Sequence, residues 1–176
     1  MPPRNNGRSE AIRPIAVQSR HPRLRFRASA VARALRVLDR HRPGLAAPGS
    51  VLENDAEISV VFLTDPELAR LHRDFLADPS PTDVITFPGP APFAAGEICV
   101  SVDAARRQAG PDFAAELTLY LAHGWLHLAG HDDRRPDRKR RMRRAEARAL
   151  QALRAAGAMP RFTLRSGLAA KLRRKQ

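Results

Sequence analysis

The 176-residue chain has one cysteine, one tryptophan and one tyrosine. A lone thiol cannot close an internal disulfide. Cys99, set in the apolar run Ile98-Cys99-Val100-Ser101-Val102, is therefore expected to be a small core residue in a protein of the reducing cytoplasm. Aromatic residues make up 5%, so no nucleic-acid platform of stacking rings is written in the chain, and base specificity is not legible. No apolar run approaches the length needed to cross a bilayer. Met1 to Ala30 is interrupted throughout by arginine and polar residues rather than forming a signal-peptide core. No internal repeat is present, and no membrane partner is expected.

Acidic residues are scarce as well, 18 Asp+Glu against 31 Lys+Arg for a net charge of +13, and they are unevenly spread. Val51 to Asp133 holds 4 basic and 14 acidic residues, which leaves 27 basic and 4 acidic residues to the flanks. Phosphate backbones are held by arginine and lysine with release of counterions, so the flanks are the expected surface for holding a nucleic-acid backbone. The plainer reading of the run from Arg134 to Arg144 is a solvated helix face.

At 43% hydrophobic content the chain can build one core of ordinary size, and its length fits one domain. Met1 to Arg13 is polar and expected to be disordered. Ile15 to Gln18 is a first strand, and Ala28 to Leu38 an amphipathic helix with Val31, Ala34, Leu35 and Leu38 on one face. A Pro/Gly loop from His41 to Asp55 leads to a β-branched strand, Glu57 to Leu63. Thr64 or Asp65 then caps a helix whose first turn takes Pro66 and whose inner face buries Leu68, Leu71 and Phe75. Val84 to Phe87 and Ile98 to Val102 are short strands around the loop Pro88 to Gly96, and Asp103 starts another helix. Pro111 introduces a long helix through Leu128, apolar on most faces and so central in the core. Pro136 or Asp137 to Ala155 is the last helix, and Gly157 to Gln176 a basic tail. The fold class is α+β, a single domain with a small mixed sheet of about four strands packed by helices.

The chemistry is concentrated in His123-Gly124-Trp125-Leu126-His127-Leu128-Ala129-Gly130-His131-Asp132-Asp133. Residues four apart on a helix lie one above the other, so His123 and His127 can turn imidazole nitrogens onto one ion. Gly130 can leave the helix through a left-handed conformation and bring Asp133 back toward them. The spacing H-x-x-x-H-x-x-G-x-x-D matches that of long-motif zinc proteins, but the general base that follows the first His in zinc proteases is missing, with Gly124 in its place. A hydrogen-bonded core histidine is the ordinary reading of one His on an apolar helix, and two at this spacing before Gly and Asp point to a metal. His131 is a ligand, an orienting donor or a polar residue at the helix exit. Asp132 is an orienting or capping group. Glu116 and Tyr120 share the histidine face and either orient an imidazole or are plain helix residues. Asp83 is expected to cap a turn. Arg106 and Arg107 are surface charges, and His72, His21 and His41 need no function.

With Glu116 upstream, with Pro81-Thr82-Asp83-Val84-Ile85-Thr86-Phe87-Pro88, and with the stretches Glu57 to Leu63, Gly96 to Ser101 and Ala105 to Ala109, the motif resembles the YbeY family of bacterial rRNA maturation factors. The resemblance implies a single-strand-specific, metal-dependent endoribonuclease with one Zn2+ per chain, acting on rRNA at the small-subunit 3′ end and in ribosome assembly. Single-stranded RNA, rRNA and the ribosomal small subunit are then the implied partners, with the oligomeric state open. Three positions depart from the family pattern. Asp133 stands where the family has a third His and His131 where it has Tyr. Asp133 is favoured as third ligand because it keeps the register and zinc accepts carboxylate oxygen. Leu76 replaces an arginine implicated in catalysis, with Arg73 the nearest substitute. Asp78-Pro79 replaces a Lys-Asp pair. The expected site is thus His123, His127 and Asp133 for the metal, with Arg73 and His127 acting in catalysis. A zinc-stabilised RNA-binding assembly factor with little or no nuclease activity is the competing reading, and a zinc peptidase ranks last because of Gly124.

Overall fold

The computed structural model describes residues 12–53, 55–76, 82–90 and 92–166. Strands form where β-branched residues cluster: β1 is Ile15–Ser19, β3 is Glu57–Leu63, β4 is Val84–Pro88 and β5 is Ala94–Ser101, with a two-residue β2 at Leu24–Arg25. The main sheet has the order β1-β3-β5-β4. β1 and β5 run parallel to β3, and β4 is antiparallel to β5.

Alternation along β3 divides the protein into two layers. Ile58, Val60 and Phe62 face the larger core with helices α1 (Ala28–Arg40), α4 (Val102–Gln108), α5 (Phe113–Leu128) and α6 (Pro136–Ala155). Val61 and Leu63 face the other side, where α3 (Asp65–Leu76) buries Leu68 beside Ile85 and Cys99. Burial pushes the Cys99 thiol up to about 12, as expected of an inert core cysteine.

Several boundaries differ from the sequence expectation, each for a packing reason. A short helix, α2 (Arg42–Leu45), interrupts the loop after α1, with Pro43 in its first turn. β5 begins at Ala94, not Ile98, and ends at Ser101, whose hydroxyl caps α4 by accepting from Ala104 N–H at 3.0 Å. Of the added residues Ala94, Ala95 and Gly96 are small, and at Gly96 the strand passes close under α5: a Cβ there would lie 2.7 Å from Leu128 Cδ2. At the start of α3 the Thr64 amide and hydroxyl both donate to Glu67 Oε2, the glutamate half of a capping box. Phe75, expected inside, is 68% exposed and touches the edge of Phe87.

At the N-terminus the disorder expected for Met1 to Arg13 falls mostly on residues 1–11, outside the described ones, but Arg13 itself is buried. Its guanidinium pairs with Asp39 at 2.9 Å and donates to the carbonyls of Leu52 and Ala56. Asp39 in turn accepts from Trp125 Nε1 at 3.1 Å, which ties the entry of β1 to α1 and α5. At the other end, part of the segment grouped with the basic tail is packed. Ala158 and Phe162 are buried, and β6 (Thr163–Leu164) pairs antiparallel with β2. Residues 167–176 lie outside the described residues.

Candidate metal centre

Helix α5 is apolar on most of its surface and runs under the sheet, capped by Asp112 Oδ1 accepting from Ala115 N–H. Gly124 is what lets it approach. A Cβ there would lie 2.4 Å from Ile98 Cγ2 and 3.1 Å from Val84 Cγ1, so no side chain fits. The position that a zinc protease gives to glutamate points here into the sheet. That is a physical reason to discard the peptidase reading.

The helix ends as the histidine motif requires. Gly130 takes φ +91, His131 N–H donates to Leu126 C=O and Gly130 N–H to His127 C=O, the paired bonds of a Schellman turn. A Cβ at Gly130 would also meet the backbone oxygens of Ala47 and Pro48 at 2.7 and 2.9 Å. The turn brings Asp133 back so that one ligand atom each from His123, His127 and Asp133 lie within 4.8 Å of one another.

Hydrogen bonds on the far side of each ring fix which nitrogen faces the others. His123 Nδ1 bonds Glu146 Oε1 at 2.7 Å, and His127 Nδ1 bonds the His131 carbonyl at 3.1 Å. A carboxylate and a carbonyl can only accept, so both Nδ1 atoms carry hydrogen. Both Nε2 lone pairs therefore converge, at 2.9 Å from each other, with Asp133 Oδ1 4.0 Å from His127 Nε2. Two lone pairs at that distance repel unless a proton or cation sits between them. The residues fit a zinc ion on this ground: two imidazole nitrogens and a carboxylate oxygen are the donors of a three-ligand zinc site, with orienting partners behind them. Burial acts against charge on both rings. The Glu146 carboxylate outweighs it and holds His123 above its ordinary pKa, whereas burial and then the neighbouring His123 hold His127 below.

The surrounding residues separate into those that join this cluster and those that do not. The His131 ring turns away, its Nε2 donating to Leu45 C=O at 2.6 Å, which favours Asp133 as third ligand. Asp132 accepts from Arg134 N–H and Arg138 at the entry to α6, and those bonds, the backbone one first, lower its pKa. Asp83 accepts from Val84 N–H as a local cap, and its charge also reaches His123 and Tyr120. Glu116 bonds the buried Tyr120, whose phenol is pushed up by burial first and then by the nearby carboxylates, so neither orients an imidazole. The orienting carboxylate is Glu146 on α6, a residue that the sequence reading missed. Its signal was its rarity: after Asp133 the chain has only Asp137 and Glu146 among its acids.

Arg73 is not brought to the cluster. It is exposed, pairs with Asp74 at 3.1 Å, and sits with His72 on α3, the helix packed on the opposite face of the sheet. Arg107 is paired with Asp65, His21 Nε2 lies 3.3 Å from Asp103, and His41 Nδ1 donates to Val37 C=O. The side chain of Leu76 and the pair Asp78-Pro79 lie outside the described residues.

With Asp133 as third ligand, Asp133→Ala should lower zinc affinity strongly while His131→Ala leaves most of it, and Asp133→His should retain binding. Glu146→Ala should cost about 10- to 100-fold, the usual penalty for losing a partner of a ligating imidazole. Titration against a competing chelator reads all four. The opposite ranking of Asp133 and His131 would move the assignment.

Comparison with known proteins identifies the family. The family model described as Endoribonuclease YbeY matches residues 36–154. An Endoribonuclease YbeY of an Anaeromyxobacter species (strain Fw109-5) is 40% identical over 141 residues, covering 76% of this chain and 68% of that protein. One from Chlamydia pneumoniae is 41% identical over 110 residues, covering 56% of this chain and 70% of that protein. A solution structure of a Thermotoga maritima protein aligns at TM-score 0.48 and 20% identity, covering 82% of this chain and 94% of that one. The family match takes in α5, its glycine turn and most of α6, the elements that supply His123, His127, Asp133 and Glu146, and the chain belongs to the YbeY family.

Proposed function

We propose that this protein is a zinc-dependent endoribonuclease that cuts single-stranded RNA, acting in maturation of the small-subunit rRNA 3′ end and in ribosome assembly. The observation that carries the reading is the pair of facing Nε2 atoms beside Asp133, each imidazole held from behind, in a chain similar to proteins named endoribonucleases. When bound there, zinc would supply Lewis acidity toward a phosphoryl oxygen. The chain's own residues supply positioning. Glu146 and the His131 carbonyl hold the rings, and the Gly130 turn delivers the carboxylate.

RNA carries its own nucleophile in the 2′-hydroxyl, so the absence of a protease-type base at Gly124 is tolerable for RNA and damaging for peptide hydrolysis. Helix α6 starts three residues after Asp133, and its first turns carry exposed Arg138, Lys139, Arg140, Arg141, Arg143 and Arg144. That places a cationic surface next to the metal site, suited to holding phosphates.

One observation favours the competing reading, an assembly factor that occupies RNA without cutting it. Among the described residues no arginine pairs with His123, His127 or Asp133, so no fixed cation is aimed at the charge that develops during cleavage. The test is a cleavage assay on one RNA sequence presented single-stranded and as a duplex. The zinc-loaded protein should cut the single strand alone, stop when a chelator is added and resume when zinc is returned. Binding without cleavage under zinc would establish the assembly-factor reading instead.

A further inference from the structure

Two long stretches of the chain contain no carboxylate at all. Residues 11–38 carry seven arginines, and residues 147–176 carry eight arginines and lysines. Among the described residues, the fold brings parts of the two stretches together where β2 pairs with β6. Arg23, Arg25 and Arg27 alternate with Leu24, which is buried, and Phe26, whose ring packs against Phe62 and Phe162. Arg25 and Arg27, both exposed, therefore share the outward side of the extended stretch that leads into α1, since alternate residues point the same way, and Arg23 precedes them in the turn before β2. Across from them stand Arg161 and Arg165, the latter tied in by its N–H donating to Arg23 C=O.

Between the ribbon and the start of α1 lies a cleft of about 510 Å³, lined by Arg25, Phe26, Arg27, Met159, Arg161 and Thr163, with Ala30 at its edge. Arg27 and Arg161 are exposed, and among the described residues neither has an ion-pair partner. Helix α1 opens at this place with no side-chain cap and no acidic residue in its first turn, so its positive end is not neutralised locally. Arginine richness alone would not single the place out, because α6 is richer. What distinguishes it is concavity, the absence of any nearby carboxylate in sequence, and apolar surface from Phe26 and Met159 on which a base or ribose could rest.

The cleft is separate from the metal centre. Asp39, near the end of α1, bonds Trp125 of the metal helix, and the cleft lies at the other end of α1, about 16 Å away at the helical rise. Along α6, Glu146 touches His123, and the helix runs on to Ala155, about 14 Å further, before the chain turns toward Met159.

We propose that this cleft is a second RNA-holding site, which grips backbone phosphates of a single strand at a distance from the point of cleavage. This rests on the reading of the substrate as RNA. A strand long enough to span both places is held at two points, and a short one only beside the metal.

The test uses the full chain with His127→Ala added, so that no probe is cut, and labelled oligouridylates of about 4 and about 16 nucleotides, the range of single-strand site sizes. Arg27→Gln/Arg161→Gln should weaken binding of the long probe about tenfold and reduce the slope of log affinity against log salt by about 1.4, from two phosphates at 0.7 each. The short probe should be unaffected. Arg27→Lys/Arg161→Lys should keep most of the long-probe affinity, and Arg70→Gln/Arg106→Gln, with the same loss of charge elsewhere, should change little. If the cleft variant binds the long probe as tightly as its parent, or if both charge-loss variants weaken equally, the proposal is overturned. If the parent binds neither probe, the RNA reading itself fails.

Discussion

Replacing His123 and His127 together with alanine should leave a folded chain that no longer holds zinc. The purified wild type is expected to carry about one zinc per chain, the content of a single three-ligand site, and the double variant none. The loss is expected to be near complete because only Asp133 remains, and one carboxylate at 38% exposure does not hold a divalent ion. The fold should survive. The two imidazoles lie at the edge of the core, at 18% and 26% side-chain exposure, while α5 is anchored by Leu117, Leu121, Trp125 and Leu126, all fully buried. Elemental analysis beside circular dichroism decides it, and stoichiometric zinc in the double variant would end the assignment.

The second large effect concerns stability rather than chemistry. Arg13→Ala should destabilise the protein by about 3–5 kcal/mol, the range for removing one partner of a buried ion pair. The guanidinium side chain is 2% exposed, and its removal leaves the Asp39 carboxylate, 16% exposed, without its cation and takes one donor each from the carbonyls of Leu52 and Ala56. Trp125 Nε1 still bonds Asp39, but a neutral donor does not replace a cation. Against the 5–15 kcal/mol typical of a domain, such a loss is a large share. Chemical denaturation should show a lower midpoint with an unchanged slope. A loss below about 1 kcal/mol would place Arg13 among ordinary surface residues.

These two predictions also mark what the sequence could disclose. His123, His127, Gly130 and Asp133 were legible because their relation is local: a four-residue helical step, then a turn that glycine alone permits. Helix α1 was legible through its apolar periodicity, β3 through its β-branched run, and α5 through its apolar character on most faces behind Pro111. Arg13 and Glu146 were not legible, because the partners that give them meaning come from 26 and 23 residues away. An arginine in a polar N-terminal stretch has the same local signature whether it is buried or solvated. The β2–β6 pairing is longer in range still, two residues meeting two across most of the chain, with no pattern long enough to show. Gly124 was noticed as a missing glutamate, but only the 2.4 Å approach of Ile98 shows why nothing larger stands there. Arg73 illustrates the converse. Its nearness in sequence to the position of a family arginine carried no information about which face of the sheet its helix would occupy.

The most direct test of the account is the cleavage rate of one single-stranded RNA by wild type and by His127→Ala, each incubated with zinc and measured at equal protein concentration. The wild type should cut the RNA and the variant should not, while both bind it with similar affinity, because the phosphates are held by arginines elsewhere. Equal cleavage by the two proteins would contradict the claim that the centre built on His123, His127 and Asp133 is where the chemistry occurs.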